Sequence, residues 1–580
     1  MGPMSASEPK SHHFNLAFLM VFVIALGLRF SQLNALPLDD IEAVDALSAL
    51  ALADNKSPID AINASYSYLT STLFRMLGSN EWLARFWPAL AGSLLAILPF
   101  MFRHKWGQGK SLIFASGIAI LGPFVALSRF AGGESLGLLA LGLAFITLSK
   151  SNWIWAGALL SIGLLSGPTI YLGLISAMLA LLIGMTIFRK STMGKWLAEG
   201  KSDWQKYFDS SKLAIGFFAG ILITSTVFLT RLQGVSLIGN GIAAFIEGWR
   251  TQSGLPLNQM LLAVFSYAFP VLIFASFSIP AAFKERDPKN QLLLILFITS
   301  LTLVLVYPGR RAEDLVWPMI PALMLAADLL SRWLTVPAER QPQVVATLFL
   351  LLVLAIFQWL NFAALSNFEL GSEAFQSRVI VTWGVPVVAV IALALIAGGW
   401  SRDVPVYALA IAGSSILIAI AISQSARIGK ADILAPYSLW RNAQASGQAY
   451  LMTESLHLLS DLNYGRAGEL YVDLRFESPG MEWLLREWPI FERGEGQLAP
   501  DVIIDSDSAD LPAETESYRG QDFVWTRSAS WPEKWPPNFF AWWLFQEAPT
   551  QNQNIALWAR EDLFPQNFEE EETSEAVIIE

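Results

Sequence analysis

Apolar residues along this chain gather into runs of bilayer length separated by short polar breaks. Phe14–Gln32, Val344–Phe362 and Val379–Ile396 are each about 20 residues long, enough for a helix to cross a hydrocarbon core of about 30 Å. Extending the same reading predicts about thirteen spans, at 14–33, 87–102, 111–128, 135–149, 152–167, 169–188, 213–231, 259–283, 290–307, 315–331, 344–361, 379–399 and 404–423. The first span is too long for a signal-peptide core and lacks a small-residue cleavage site after it, so it reads as a retained signal-anchor helix. The loops at 103–110, 189–212, 284–289 and 332–340 are rich in Lys and Arg. By the positive-inside rule they are cytoplasmic, as is the N-terminal tail 1–13. An odd number of spans then places everything after the last one outside the cytoplasm, in a multi-pass protein of the cell membrane.

Two stretches break the pattern. The external loop 34–86 opens with Leu38-Asp39-Asp40-Ile41-Glu42-Ala43, continues as an alanine-rich helix to Asp54, breaks at Ser57-Pro58 and resumes as a helix from about Ser67 to Leu77. Helices flanking an apolar bundle are expected along the membrane surface. Asn63-Ala64-Ser65 fits a glycosylation sequon, a pattern short enough to recur by chance. From 431 to 565 the chain turns polar. Gln448–Glu454, Glu469–Phe476, Asp501–Asp505, Asp522–Ala529 and Ile555–Glu561 read as strands, with helices at Ser455–Leu462 and Gly480–Phe491. That order describes a small α/β domain. The aromatic segment from Trp531 to Trp543 is either a carbohydrate-stacking surface or, as favoured here, a belt at the headgroups.

Composition agrees with this division. Hydrophobic residues make up 54% of the 580, charged residues 15%, and mean hydropathy is +0.46, where a soluble domain carries about 25% charge. Residues 431–580 hold 27 acids and 9 bases, the rest 22 acids and 29 bases. The run Glu569-Glu570-Glu571-Glu572 makes 566–580 an acidic, solvated tail. The chain has no cysteine and four scattered histidines, which excludes disulfides, thiolate metal sites and a Ser–His–Asp triad. Gly109-Lys110-Ser111 echoes a phosphate loop, but His104 stands where its first glycine belongs. Chemistry must rest on carboxylates, arginines and aromatics, with or without an oxygen-ligated metal.

Three features then occur in order. Leu28-Arg29-Phe30 ends the first span, with Asp39, Asp40 and Glu42 soon after. Gly78-Ser79-Asn80-Glu81-Trp82-Leu83-Ala84-Arg85-Phe86-Trp87-Pro88 enters the second span. Ser128-Arg129-Phe130-Ala131-Gly132-Gly133-Glu134-Ser135 follows the third. The arrangement resembles the GT-C glycosyltransferase superfamily, in its dolichyl-phosphate-mannose–protein mannosyltransferase-like branch. The resemblance covers 14–190 best, reaches weakly to Pro308-Gly309-Arg310-Arg311 and Trp317-Pro318-Met319-Ile320-Pro321, and leaves out the C-terminal domain.

The resemblance implies a GT-C-like module over 14–430 and transfer of a sugar from a polyprenyl-phosphate donor to an acceptor hydroxyl at the external face. Membrane lipids and that donor are the implied partners; no nucleic acid is. Asp40 is the implied base, with Asp39 and Glu42 beside it, because a carboxylate near the hydroxyl can take its proton. Arg310, Arg311 and Arg129 are the implied phosphate contacts, Tyr66 and Tyr68 stand in the loop's substrate segment, and Glu134 is the implied ligand for Mg²⁺ or Mn²⁺. Where the family has Asp-Glu-Ala, this chain has Ile41-Glu42-Ala43, with Asp40 one residue early. Plainer readings stand beside these. Asp39 and Glu42 also form an N-capping pattern, Arg129 and Glu134 also suit a membrane–water boundary, and the paired arginines also suit ordinary lipid phosphates. The alternative to an enzyme is a non-catalytic scaffold or handler of lipid-linked saccharides. A transporter fits less well, since no inverted repeat is visible.

Overall fold

The computed structural model describes residues 11–564 except 59–60, 252–253, 285–286, 369–370, 430–438, 441–443, 467, 490–498, 507–516, 531–535, 537–541 and 544–548. The domain junction near Ala431, most of the Trp531–Trp543 aromatic segment and the acidic tail lie outside the described residues.

The chain is mostly helical. α1 (Ser11–Phe30) leads to the two loop helices α2 (Asp40–Ala53) and α3 (Ala64–Leu77), followed by α4 (Glu81–Ile97), α5 (Arg103–Trp106), α6 (Gln108–Ile120), α7 (Gly122–Leu127), α8 (Glu134–Ser149), α9 (Trp153–Leu164) and α10 (Pro168–Thr186). After them come α11 (Thr192–Tyr207), α12 (Ser210–Ser225), α13 (Asn240–Arg250), α14 (Leu257–Ala263), α15 (Phe269–Lys284), α16 (Pro288–Val306), α17 (Val316–Trp333), α18 (Gln341–Ala364), α19 (Glu373–Gly399) and α20 (Asp403–Gly429). Among the described residues, eight helices are long and apolar enough to cross a membrane, and four shorter helices are also apolar. This is a multi-pass membrane protein. The expected span at 111–128 is broken: Leu121 is extended and Gly122-Pro123 starts α7 afresh. Pro123 brings no N–H for the ladder, and carbonyls left over at the break need donors. Arg29 supplies them from α1, donating to Ile118 O at 2.9 Å and Ala119 O at 3.0 Å, while Ser425 Oγ donates to Ile120 O at 2.6 Å.

α2 and α3 do not form a bare surface layer. Their small and aromatic residues Ala43, Ala46, Ala49, Tyr66 and Phe74 share one buried cluster with Ala91 of α4, Leu136 of α8 and Trp483 of the C-terminal domain. They are sandwiched between bundle and domain.

The C-terminal domain adds α21 (Gln448–Tyr464) and α22 (Pro479–Leu484) to a five-stranded sheet of β1 (Gln444–Ala445), β2 (Val472–Leu474), β3 (Val502–Asp505), β4 (Tyr518–Ala529) and β5 (Thr550–Arg560), ordered β1-β4-β5-β3-β2. β2 and β3 are parallel, and the other pairs antiparallel. The expected strand at Gln448–Glu454 is instead the start of α21. Ala449, Met452, Leu456 and Leu459 recur at helical spacing and enter the domain core together, a period no strand can satisfy. Gly465, in the left-handed region at φ 66°, ends that helix.

The bundle has two unlike ends. Arg310, Arg129 and the C-terminal domain gather where α1 and α16 finish. Lys110 pairs with Asp328, which also holds Arg332, at the other end. α1 begins at that second end, and α20 finishes beside the α6–α7 break at the first.

Candidate functional site

The three sequence features meet at the end of the bundle that carries the C-terminal domain. α2 starts with a capping box: Asp39 Oδ1 accepts from Glu42 N at 2.8 Å, and Asp39 N donates to Glu42 Oε2 at 3.3 Å. Glu42 is also the centre of a buried pair. It accepts from Arg85 Nε at 2.9 Å and Nη2 at 2.7 Å, and from Ala131 N at 2.6 Å. Arg85 donates onward to Leu33 O and Leu36 O. The pair therefore binds the first loop, the start of α4 and the loop before α8 into one unit.

Asp45 was not singled out by the sequence, yet it anchors a second unit. It lies three residues beyond Glu42, a spacing that shares one helix face. Its Oδ1 accepts from Ile62 N at 2.9 Å and Asn63 N at 3.0 Å, and its Oδ2 from Asn63 Nδ2 at 2.7 Å. Burial pushes the Asp45 carboxyl above its ordinary value, opposed by those donors. Asn63 Nδ2 also reaches Glu134 Oε1 at 3.4 Å, and Arg311 Nη1 lies 3.5 Å from the same oxygen. Asn63 is 4% exposed, so the Asn63-Ala64-Ser65 sequon offers no accessible acceptor in the folded chain. Glu134 faces an amide N–H and a guanidinium. Among the described residues no group of three carboxylate or imidazole side chains comes together. This donor set does not fit a divalent cation.

Arg311 opens onto a cavity of about 440 Å³ whose wall includes Ile41, Glu247, Tyr307, Arg310 and Asp314. It joins the first loop to the loop before α17, the two segments expected to face a lipid phosphate. Close backbone packing sets its shape. A Cβ on Gly309 would approach Gly248 Cα of α13 to 2.9 Å, and one on Gly254 would meet the Arg310 backbone. Leu255 N donates to Arg310 O at 2.9 Å. Arg310 Nη1 donates to Leu305 O and Tyr307 O, both at 3.0 Å, closing the end of α16, while its buried Nε has no hydrogen-bond partner among the described residues. Burial lowers the Arg310 pKa. Arg311 N donates to Asp314 Oδ2 at 2.8 Å.

Other expected site residues lie elsewhere. Asp40 is beside the cavity in sequence only: its Oδ1 accepts from Ser478 Oγ at 2.6 Å and Gly480 N at 2.9 Å, and it is Ile41 that lines the wall. Arg129 donates to Leu28 O at 2.7 Å and Ser31 O at 2.7 Å, the orphan carbonyls at the end of α1. Tyr66 and Tyr68 are fully packed, their hydroxyls donating to Ala84 O at 2.8 Å and Gly234 O at 2.6 Å. Both tyrosines tie α3 down. Two residues apart, they point to different sides of α3, Tyr66 packing with Ala43 and Trp483 and Tyr68 with Leu52 and Leu165.

No family model matches the chain, and no curated protein does. Among solved structures it is similar to ArnT from Cupriavidus metallidurans bound to undecaprenyl phosphate, at 15% identity and TM-score 0.55, over 96% of this chain and 100% of that one. The apo state of the same protein gives 15% identity and TM-score 0.51, over 96% and 99%. The fold is GT-C-like. The likeness spans both bodies of the chain, so the C-terminal domain, which the motif resemblance left out, belongs to the shared architecture. In this fold the arginine-lined cavity lies between the loop 34–86 and the loop before α17.

Proposed function

We propose that this chain is a membrane glycosyltransferase that takes a sugar from a polyprenyl-phosphate donor and transfers it to an acceptor hydroxyl at the extracytoplasmic face. The observation that carries the reading is the cavity bearing Arg310 and Arg311 beside the first loop. Transfer leaves negative charge on the lipid phosphate, and preorganised guanidinium donors at a site of low dielectric stabilise it. The similar ArnT structure holds undecaprenyl phosphate, which favours the same lipid class here. The opposite placement of the basic loops and the C-terminal domain supports a cytoplasmic N-terminus and an extracytoplasmic domain in the cell membrane.

The protein in nanodiscs is expected to bind undecaprenyl phosphate and not undecaprenol, read by native mass spectrometry. The R310Q/R311Q variant should lose about tenfold or more in affinity, since charged hydrogen bonds contribute about 1.5–3 kcal/mol each. Equal binding of the phosphate and the alcohol refutes the reading. One observation favours a second reading, a non-catalytic handler of lipid-linked saccharides: Ile41 stands on the cavity wall where the resemblance expects a carboxylate, and Asp40 accepts hydrogen bonds from the C-terminal domain. Binding of undecaprenyl phosphate without sugar transfer from any polyprenyl-phosphate donor selects that reading.

A further inference from the structure

Sugar transfer to a hydroxyl needs a group that takes the hydroxyl proton as the new bond forms. Four acids at the start of the first external loop are already engaged. Asp39 caps α2, Glu42 holds Arg85 and Ala131 N, Asp45 accepts from three N–H groups, and Asp40 Oδ1 is held by Ser478 and Gly480. Glu134 faces Arg311. Two carboxylates line the cavity itself, Asp314 and Glu247. Asp314 is 2% exposed and its Oδ2 accepts from Arg311 N inside a tight turn, while its Oδ1 is buried without a partner among the described residues, so it shapes the arginine loop from inside the wall. Glu247 differs in its exposure and in the freedom of its whole carboxylate. It is exposed, sits on the last turns of α13, and no hydrogen bond or ion pair among the described residues holds its carboxylate. Its neighbour Gly248 packs on Gly309, the residue before Arg310. That contact fixes the Glu247 backbone against the arginine loop while leaving its side chain on the cavity wall.

We propose that Glu247 is the general base of this site, an inference that rests on the glycosyltransferase reading. The bond from the sugar anomeric carbon to the phosphate oxygen breaks, and its electron pair leaves on the polyprenyl phosphate beside Arg310 and Arg311. The acceptor oxygen bonds to the anomeric carbon, and its proton moves to the Glu247 carboxylate. Charge balances, one carboxylate being neutralised as one phosphate gains a negative charge. Ile41 then has an ordinary role, as the apolar wall opposite a base supplied by α13 instead of the first loop.

The test uses the full-length protein in nanodiscs with a panel of radiolabelled undecaprenyl-phosphate hexoses and pentoses, total membrane extract as acceptor, and native mass spectrometry of undecaprenyl phosphate binding. E247Q is expected to lower kcat by about 10²-fold or more, the usual range for a general base, with undecaprenyl phosphate affinity unchanged. E247D should keep part of the activity. Full transfer by E247Q overturns the assignment and leaves the glycosyltransferase reading standing. A fall in undecaprenyl phosphate affinity that accounts for the lost rate overturns it too, making Glu247 a binding group. Absence of transfer by the unmodified protein overturns the enzymatic reading and this inference with it.

Discussion

At the scale of single residues, the buried charges at this end of the bundle divide by what surrounds them. Glu42 is buried against Arg85, and removing one partner of such a pair strands the other. Asp45 is buried against neutral donors, and its carboxyl is raised. The sign of its pH effect follows. Near pH 4 and below, around the ordinary aspartate value, the folded state gains from holding Asp45 protonated. As pH rises through the raised native value that contribution is lost, because the buried carboxyl must ionise. Asp45→Asn has no charge to gain. Its Oδ1 can still accept from Ile62 N and Asn63 N, and rotation of the Asn63 amide, whose Oδ1 is without a partner, restores the third contact. The difference in melting temperature between Asp45→Asn and the parent protein should therefore shift toward the variant as pH rises from about 4 to 7. Thermal unfolding at several pH values checks this, and a constant difference would mean that Asp45 does not titrate in the window.

At the scale of elements, α13 and the loop before α17 act as one wall because glycines let their backbones touch. Gly248 lies against Tyr307, whose hydroxyl donates to Phe245 O at 3.2 Å and whose ring stacks on Phe245 with centroids 5.3 Å apart. A Cβ at 248 meets the Tyr307 hydroxyl, so Gly248→Val must push α13 away from Arg310. Displacing groups that position a ligand by about 1 Å costs on the order of 10²-fold in reactivity. Gly248→Val should accordingly lower undecaprenyl phosphate affinity by at least about tenfold, a larger effect than its loss of melting temperature. Titration in nanodiscs reads the first quantity and thermal unfolding the second. The α6–α7 break follows the same logic in reverse. There a proline ends the ladder, and an arginine from another helix takes up its carbonyls.

At the scale of the whole molecule, Trp483 is an aromatic anchor between the C-terminal domain and the first loop. Trp483 is fully buried, stacks near Phe74 with centroids 5.6 Å apart, and donates from Nε1 to Glu81 Oε1 at 3.0 Å. Arg486 covers its ring at 4.4 Å and donates to Ser79 O at 3.0 Å. Trp483→Ala should cost about 3–5 kcal/mol, concentrated at this joint. Protease added to spheroplasts is expected to release the domain faster from Trp483→Ala than from the parent protein, with the loop at 189–212 protected in both. Cleavage at 189–212 in place of the domain would invert the proposed orientation.

What the sequence determined alone is what depends on local pattern. Apolar runs of bilayer length, the helical loop from Asp40 to Leu77, the polar C-terminal domain and the capping role of Asp39 and Glu42 are all set by composition and spacing, which neighbours in sequence suffice to enforce. That Arg85, Arg129 and Arg310 stand at the ends of apolar spans was legible too, because charged groups must lie away from lipid. Which charge does what was decided only by tertiary structure. Arg85, Arg129 and Arg310 look alike in the sequence, yet one pairs with a carboxylate, one closes α1 and one closes α16, according to which carbonyls and oxygens stand within about 3 Å. Asp45 and Glu247 carried no motif; the first became an anchor and the second a cavity carboxylate through packing between elements far apart in the chain. A hydrogen bond is a short-range contact, and sequence spacing predicts such contacts within a helix but not between helices separated by a hundred residues or more.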